Sequence, residues 1–340
     1  MSERAGHPRS GLGDAALLAE LAGVFAASQA RAAARRLARG PLRPGWSWRV
    51  ELTAAAMRAI LMRSKRRGVP WLRGAVAMQP APRALLRRVR SEDVEAHGVR
   101  ARWLVPVDAP QTERVLLYFH GGGFVMGSLE SHADVMARLA VHAGARVLGV
   151  DYRLAPEHRF PAAHDDCLSA TRWVYAQGFD PAHVALGGDS AGGNLAVATL
   201  CALRDAGERL PAAALLLCPW VDPLAAGGSM ESNADADFGD RELLVAWAND
   251  YLLPGSPRDP RAFPIDAKLA GLPPLLVQVG GAELLRDQVL RFAESARDAG
   301  VELCLELAPD MFHDWQLQAQ LLPEGARAIT QAARWLAERL

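Results

Sequence analysis

Five residues constrain this chain more than any others: Gly188-Asp189-Ser190-Ala191-Gly192. They follow the apolar run Val184-Ala185-Leu186 and open a helix-forming stretch that begins at Asn194. A strand that turns into a helix within so few residues puts the serine at the apex of a strained turn. Its hydroxyl then stands above the sheet edge. Glycine on either side meets a steric need, because a Cβ there would collide with the neighbouring strand or helix. The pattern predicts a strand–turn–helix unit and an exposed nucleophile together.

A second motif serves the same chemistry. Val115-Leu116-Leu117-Tyr118-Phe119 reads as a buried strand, and His120-Gly121-Gly122-Gly123-Phe124 follows at once. Alone, that glycine run would read as a flexible turn. Beside a serine elbow, its bare N–H groups are suited to a developing oxyanion. Gly122, Gly123 and Ala191 are the expected donors.

The serine needs a base and the base needs an acid. Sheets that carry such an elbow use the chain order serine, acid, histidine. Of nine histidines only His313 follows Ser190, in the loop after an expected strand at 302–307. Glu283 lies just past the expected strand 275–279, where a carboxylate can accept from an imidazole N–H. Asp287 is the rival, about one helical turn further on. Distance from the strand end favours Glu283. Either acid could instead sit at a helix N-terminus, and Arg286 could pair with either.

On these residues the chain resembles the hormone-sensitive lipase-like α/β-hydrolases, in their bacterial carboxylesterase branch. The matching segments are His120 to Phe124, Asp151-Tyr152-Arg153-Leu154-Ala155-Pro156-Glu157, Gly188 to Asn194, Glu283 to Asp287, and His313-Asp314-Trp315. The likeness spans roughly residues 90 to 340. One position departs from it: the family's acid is most often Asp, and Glu283 carries one more methylene, so its loop should sit further back. The resemblance implies a serine esterase of short- to medium-chain acyl esters, with a Ser190–His313–Glu283 triad and no metal or organic cofactor. It implies that His120 orients the glycine loop. A homodimer is compatible with it. The same catalytic parts would serve a hydrolase of amides, carbamates or a specialised metabolite. A ligand-binding receptor on a dead hydrolase scaffold is the third class, and His313 counts against it.

Composition fits such a chain. Half of its 340 residues are hydrophobic, enough for a large core, and the length suits a catalytic body with an appended cap. Cys167, Cys201, Cys218 and Cys304 are scattered, with no C-x-x-C pair. That favours a reducing, cytoplasmic setting and reads as small core residues, not a structural zinc site. No apolar run approaches a membrane span. The Ala/Leu-rich stretch 12–27 is interrupted by Asp14 and Glu20, which disfavours a cleaved leader. Residues 1–100 hold 19 Lys/Arg against 7 Asp/Glu, although the whole chain is neutral. We read this surplus as a cationic cap facing an acidic body, with a lipid-interface role as the sharper alternative. Nucleic-acid binding is not expected without a binding motif.

The organisation follows. Residues 1–90 read as a helical cap region, with helices at 15–37 and 50–62 and a basic turn at 63–68. Residues 91–340 read as the catalytic domain. Its expected strands are 94–97, 100–105, 115–119, 146–150, 184–187, 213–218, 275–279 and 302–307. Helices between the later strands imply a mostly parallel eight-stranded sheet with helices on both faces, the α/β-hydrolase fold. Residues 222–260 form an insertion, helical at 241–252, that should join the cap. The segment 151–157 should cross-link loops behind the site, and Asp189 should stabilise its turn. Trp220 and Phe312 are candidate pocket walls.

Overall fold

The computed structural model describes residues 11–78, 83–224, 227–255 and 258–340. Residues 1–10 and 79–82 of the expected cap region lie outside the described residues, as do 225–226 and 256–257 of the insertion.

Eight strands form one sheet: β1 (Val89–Ala96), β2 (Val99–Pro106), β3 (Val115–Phe119), β4 (Arg146–Val150), β5 (Val184–Asp189), β6 (Ala213–Leu217), β7 (Leu275–Gly280) and β8 (Leu303–Ala308). Their spatial order is β1-β2-β4-β3-β5-β6-β7-β8. The β1–β2 and β2–β4 pairs are antiparallel, and every later pair is parallel. This is the expected mostly parallel sheet of the α/β-hydrolase fold. β1 begins five residues earlier than the sequence suggested. Its interior residues are polar and solvent-facing, so no apolar alternation marked its start.

Among the described residues, ten α-helices complete the fold: α1 (Gly11–Arg39), α2 (Trp48–Ala77), α3 (Arg83–Leu86), α4 (Ala133–Ala143), α5 (Ala162–Ala176), α6 (Ala191–Asp205), α7 (Ser229–Ser232), α8 (Arg241–Tyr251), α9 (Arg286–Asp298) and α10 (Pro323–Ala337). Alternate strand residues face opposite ways. Leu117 and Phe119 join one core cluster with α5, α6 and α9. Leu116 and Tyr118 join another with α4 and α10. The central strands are therefore buried on both faces, as parallel strands require.

The expected basic turn at 63–68 is a correction. α2 runs through it, and the break comes at Gly68 (φ 79°, ψ 173°), two residues before Pro70. Only at Gly68 does the backbone leave helical angles, and proline is tolerated in the first turn of the segment that follows. Among the described residues no helix is long and apolar enough to cross a membrane.

The N-terminal cations are mostly partnered. Arg35 and Arg36 converge on buried Glu51 at 2.9 and 2.6 Å. Arg63 and Arg67 hold Glu20, each at 2.9 Å. Lys65 bridges to Asp240 and Glu242, and Arg43 to Asp235, all acids of the insertion. Arg73 pairs with Glu157 and donates to the carbonyls of Val125 and Ala155, each at 2.7 Å. Of the cysteines, Cys304 departs from the core assignment. It lies exposed on β8, the edge strand, while the other three are buried.

Candidate active site

Ser190 stands between the end of β5 and the start of α6 with φ 49° and ψ −116°. Positive φ is costly for a residue with a side chain and needs over-determining contacts. Its N–H donates to Leu217 O at 2.8 Å, and its carbonyl accepts from Trp220 N at 2.9 Å. Two glycines let the turn close. An added Cβ on Gly192 would lie 1.8 Å from Phe119 O, and one on Gly188 would lie 2.4 Å from the Gly192 carbonyl carbon.

The glycine loop leaves β3 beside this elbow. Gly122 and Gly123 have φ 116° and 61°, angles that only glycine adopts without strain. Among the described residues nothing accepts from the N–H groups of Gly122, Gly123 or Ala191. His120 is buried, stacks on Tyr152 at 4.2 Å, and its Nδ1 bonds the Gly121 carbonyl at 2.8 Å. Burial, then the neighbouring His132, push its pKa down to about 3, so this imidazole is neutral. Asp189 accepts from Tyr118 Oη at 2.7 Å and pairs with His132 Nε2 at 3.2 Å. Burial pushes its carboxyl up, but the His132 charge and the two hydrogen bonds outweigh that and hold it below the ordinary range. A Cβ on Gly121 would meet this carboxylate at 2.0 Å. Asp189 thus braces the elbow against the glycine loop.

His313 lies in the loop between β8 and α10. Its Nδ1 faces Glu283 Oε1 at 3.7 Å, and neither atom has another partner. Glu283 Oε2 curls back to accept from Gly280 N at 3.0 Å, which uses up the extra methylene. Asp287 is elsewhere: its carboxylate accepts from Ser229 N at 2.8 Å and pairs with Arg286. The fold therefore brings Glu283, not Asp287, to His313.

Two further carboxylates surround this imidazole, and sequence reasoning assigned neither. Asp314, at φ 54°, places Oδ2 3.1 Å from His313 Nε2. Burial lowers the His313 pKa, but the charge and contact of Asp314, and then the neighbouring Cys218 and Glu283, raise it well above the usual value. Asp237, from the insertion, accepts from His313 N at 2.8 Å and Leu284 N at 2.6 Å. It thus clamps the histidine loop to the acid loop. Burial pushes its carboxyl up to about 6. An acid at 237 had no legible signal beyond its place in the insertion. Asp314 was visible only as a neighbour of His313.

Ser190, His313, Gly122 and Gly123 open on one cavity of about 810 Å³. Its walls are largely apolar: Leu52, Met57 and Ile60 from α2, then Phe238, Leu244 and Trp247 from the insertion. Trp220 lines it too. Phe312 does not, since it packs edge-on against Trp46 at 6.2 Å. The segment after β4 lies behind the site, with Asp151 near Arg100 and Arg153 bound to Asp166. Among the described residues, Cys218, His313 and Asp314 form one group with metal-ligand donor types, their donor atoms within 4.8 Å of one another.

The chain has known relatives. A family model described as the alpha/beta hydrolase fold matches residues 116–317. An acetyl-hydrolase of Streptomyces hygroscopicus is 45% identical over 242 residues, 69% of this chain and 79% of that protein. An esterase of Acinetobacter venetianus is 33% identical over 256 residues, 75% of this chain and 82% of that protein. A crystal structure of an esterase from the bacterial hormone-sensitive lipase family superposes with a TM-score of 0.75 at 39% identity. It covers 94% of this chain and 98% of its own.

Proposed function

The chain belongs to the α/β-hydrolase fold family, in its bacterial hormone-sensitive lipase-like branch, and is a carboxylic ester hydrolase; from that premise we propose a Ser190–His313–Glu283 triad acting on short- to medium-chain acyl esters. One observation carries the reading. A strained serine and a buried histidine share an apolar cavity, and the histidine's far nitrogen is aimed at a carboxylate.

In this mechanism His313 Nε2 takes the Ser190 proton as Oγ attacks the ester carbonyl. Asp314 cedes Nε2 to the serine when the ester binds. Glu283 holds the tautomer that carries its proton on Nδ1 and stabilises the imidazolium that forms. The N–H groups of Gly122, Gly123 and Ala191 bind the oxyanion, each for about 3–4 kcal/mol of barrier. The alcohol leaves with the proton from His313, and water activated by the same nitrogen releases the acid.

We assign residues 1–90 and the insertion 222–260 to a cap over the catalytic domain, because both contribute cavity walls. The length of the acyl chain is then limited by side chains such as Met57 and Trp247. Four unpaired cysteines support a reducing, cytoplasmic setting.

Ser190→Ala tests the assignment. It should leave the fold intact and lower ester hydrolysis by about 10⁴-fold or more. Peptide mapping after fluorophosphonate treatment should place the adduct on Ser190. An adduct on another serine would overturn the triad.

A further inference from the structure

Cys218 lies immediately after β6 at φ 45°, fully buried beside His313, and the ester chemistry makes no use of it. Its N–H donates to Gln278 O at 2.8 Å, which fixes its backbone. Its sulfur lies against the Gln316 amide, with Oε1 at 3.8 Å and Nε2 at 3.9 Å. Gln316 in turn donates to Gln278 Oε1 at 3.0 Å, and Gln278 Nε2 is held by Glu306 and by the Ala328 carbonyl. The thiol therefore sits on a rigid polar shelf of the kind that orients metal ligands.

Sulfur, imidazole and carboxylate donors within 4.8 Å of one another match the ligand types of three-ligand zinc sites. Drawing in by about 1 Å would bring them to zinc-bound spacing. Three other observations point to a cation. The second oxygen of Asp314, Oδ1, is buried and has no partner. His313 already has a carboxylate behind Nδ1, which leaves Nε2, on the Asp314 side, as the ligating nitrogen. Two buried carboxylates, Glu283 and Asp314, face the single imidazole of His313, while Asp189 takes up that of His132. His313 and Asp314 both line the cavity, so an ion can arrive and keep an open fourth position there.

We propose that Cys218, His313 and Asp314 form a binding site for a thiophilic divalent cation such as Zn²⁺, and that its occupancy switches ester hydrolysis off. On binding, the Cys218 thiol and the His313 imidazolium each lose a proton to solvent, and sulfur, nitrogen and oxygen each donate an electron pair to the ion; nothing is oxidised or reduced. The ion then occupies the Nε2 lone pair that would take the Ser190 proton. The inhibitory step rests on the reading of His313 as the base, while the site itself does not.

The test titrates metal-stripped protein with Cd²⁺ and with Zn²⁺. A Cys304→Ser background removes the exposed thiol. Cadmium on a thiolate gives an ultraviolet charge-transfer band that reports binding without reference to activity. The band should saturate at one ion per chain and vanish in Cys218→Ser. It should need at least about ten-fold more metal in Asp314→Asn. Asparagine accepts positive φ, so this second variant keeps the test decisive if Cys218→Ser misfolds. Hydrolysis should fall along the same curve, recover with a chelator, and ignore equal Mg²⁺. No band, or a band that survives Cys218→Ser, overturns the site and leaves the triad untouched. A Cys218-dependent band with undiminished hydrolysis overturns the switch, while the triad is judged separately by the Ser190→Ala and Glu283→Gln variants.

Discussion

Gly192→Ala is the smallest change that should separate folding from chemistry in this site. The added carbon would lie 1.8 Å from Phe119 O, 2.6 Å from the Phe119 carbonyl carbon and 2.8 Å from His120 O. Real Cβ atoms do not come within 3.0 Å, so the gap must open by at least 3.0 − 1.8 = 1.2 Å. The colliding atoms are backbone. β3 cannot retreat, because β4 and β5 pair along its whole length. The strain must go into the elbow or the glycine loop, which carry the proposed nucleophile and oxyanion donors. Such donors tolerate about 0.5 Å. Losing one costs about 10²–10³ in kcat, while overpacking costs about 1–3 kcal/mol of stability, or roughly 1–4 °C in Tm. Gly193→Ala is the milder comparison, since its Cβ meets Pro219 Cβ at 2.8 Å and Cα at 3.1 Å and the elbow's Gly188 O no closer than 3.4 Å. We expect Gly192→Ala to lower kcat/KM for p-nitrophenyl butyrate at least about 100-fold, and Gly193→Ala less than about 10-fold. Rates are normalised to folded protein. A Gly192→Ala enzyme within about 3-fold of the parent would refute the argument that this glycine sets the donor geometry.

Three other outcomes follow from the same geometry. Glu283→Gln should cost about 10³–10⁴-fold in kcat by favouring the wrong imidazole tautomer, and Asp287→Asn far less; reversed effects would make Asp287 the acid. Removing residues 1–45 strips Arg35 and Arg36 from buried Glu51 and takes Phe25 and Gln29 from the cavity wall. That should lower stability by about 3–5 kcal/mol, with Glu51→Gln recovering part of it. An acetyl-to-dodecanoyl ester panel on the folded truncated protein should show a loosened chain-length profile, and an unchanged profile would remove α1 from the substrate site. His120 holds no proton in the folded state until about pH 3, but gains one in the unfolded chain below pH 6.5. Stability from this group is therefore complete above 6.5 and falls as the pH drops, by about 2 kcal/mol at pH 5. Urea unfolding at pH 7.5 and 5 should show that His120→Asn lacks this decline, and parallel losses in both proteins would refute it.

What could be read from the sequence was what is local along the chain. The elbow and the glycine run are contiguous, and their glycines are dictated by clashes within a few residues and one neighbouring strand. The central parallel strands were legible because burial on both faces makes them mostly apolar. β1 was only partly legible, because its exposed edge residues carry no alternation. The path of α2 through Arg63 to Arg67 was hidden because those cations read as a turn until Glu20 and Asp240 supply their partners. Asp237 was illegible for a different reason. It lies among generic polar residues of the insertion, and its partners are backbone amides 47 and 76 positions away. No spacing rule reaches so far.

That carboxylate has a consequence for how far this enzyme can be rebuilt. Asp237 accepts from the residue after Glu283 and from His313 itself, and Arg58 of α2 donates to its carbonyl at 3.0 Å. The spacing between the proposed acid and base is therefore gauged by a part of the chain outside the sheet that bears them. A roof exchanged with a relative to change substrate preference would carry away the gauge as well as the walls. Such a chimera should bind new esters yet turn them over slowly unless the grafted segment brings a carboxylate to the place of Asp237. On the proposed cap assignment, the roof and the catalytic machinery are one mechanical unit, and selectivity cannot be redesigned here as though it were a detachable cover.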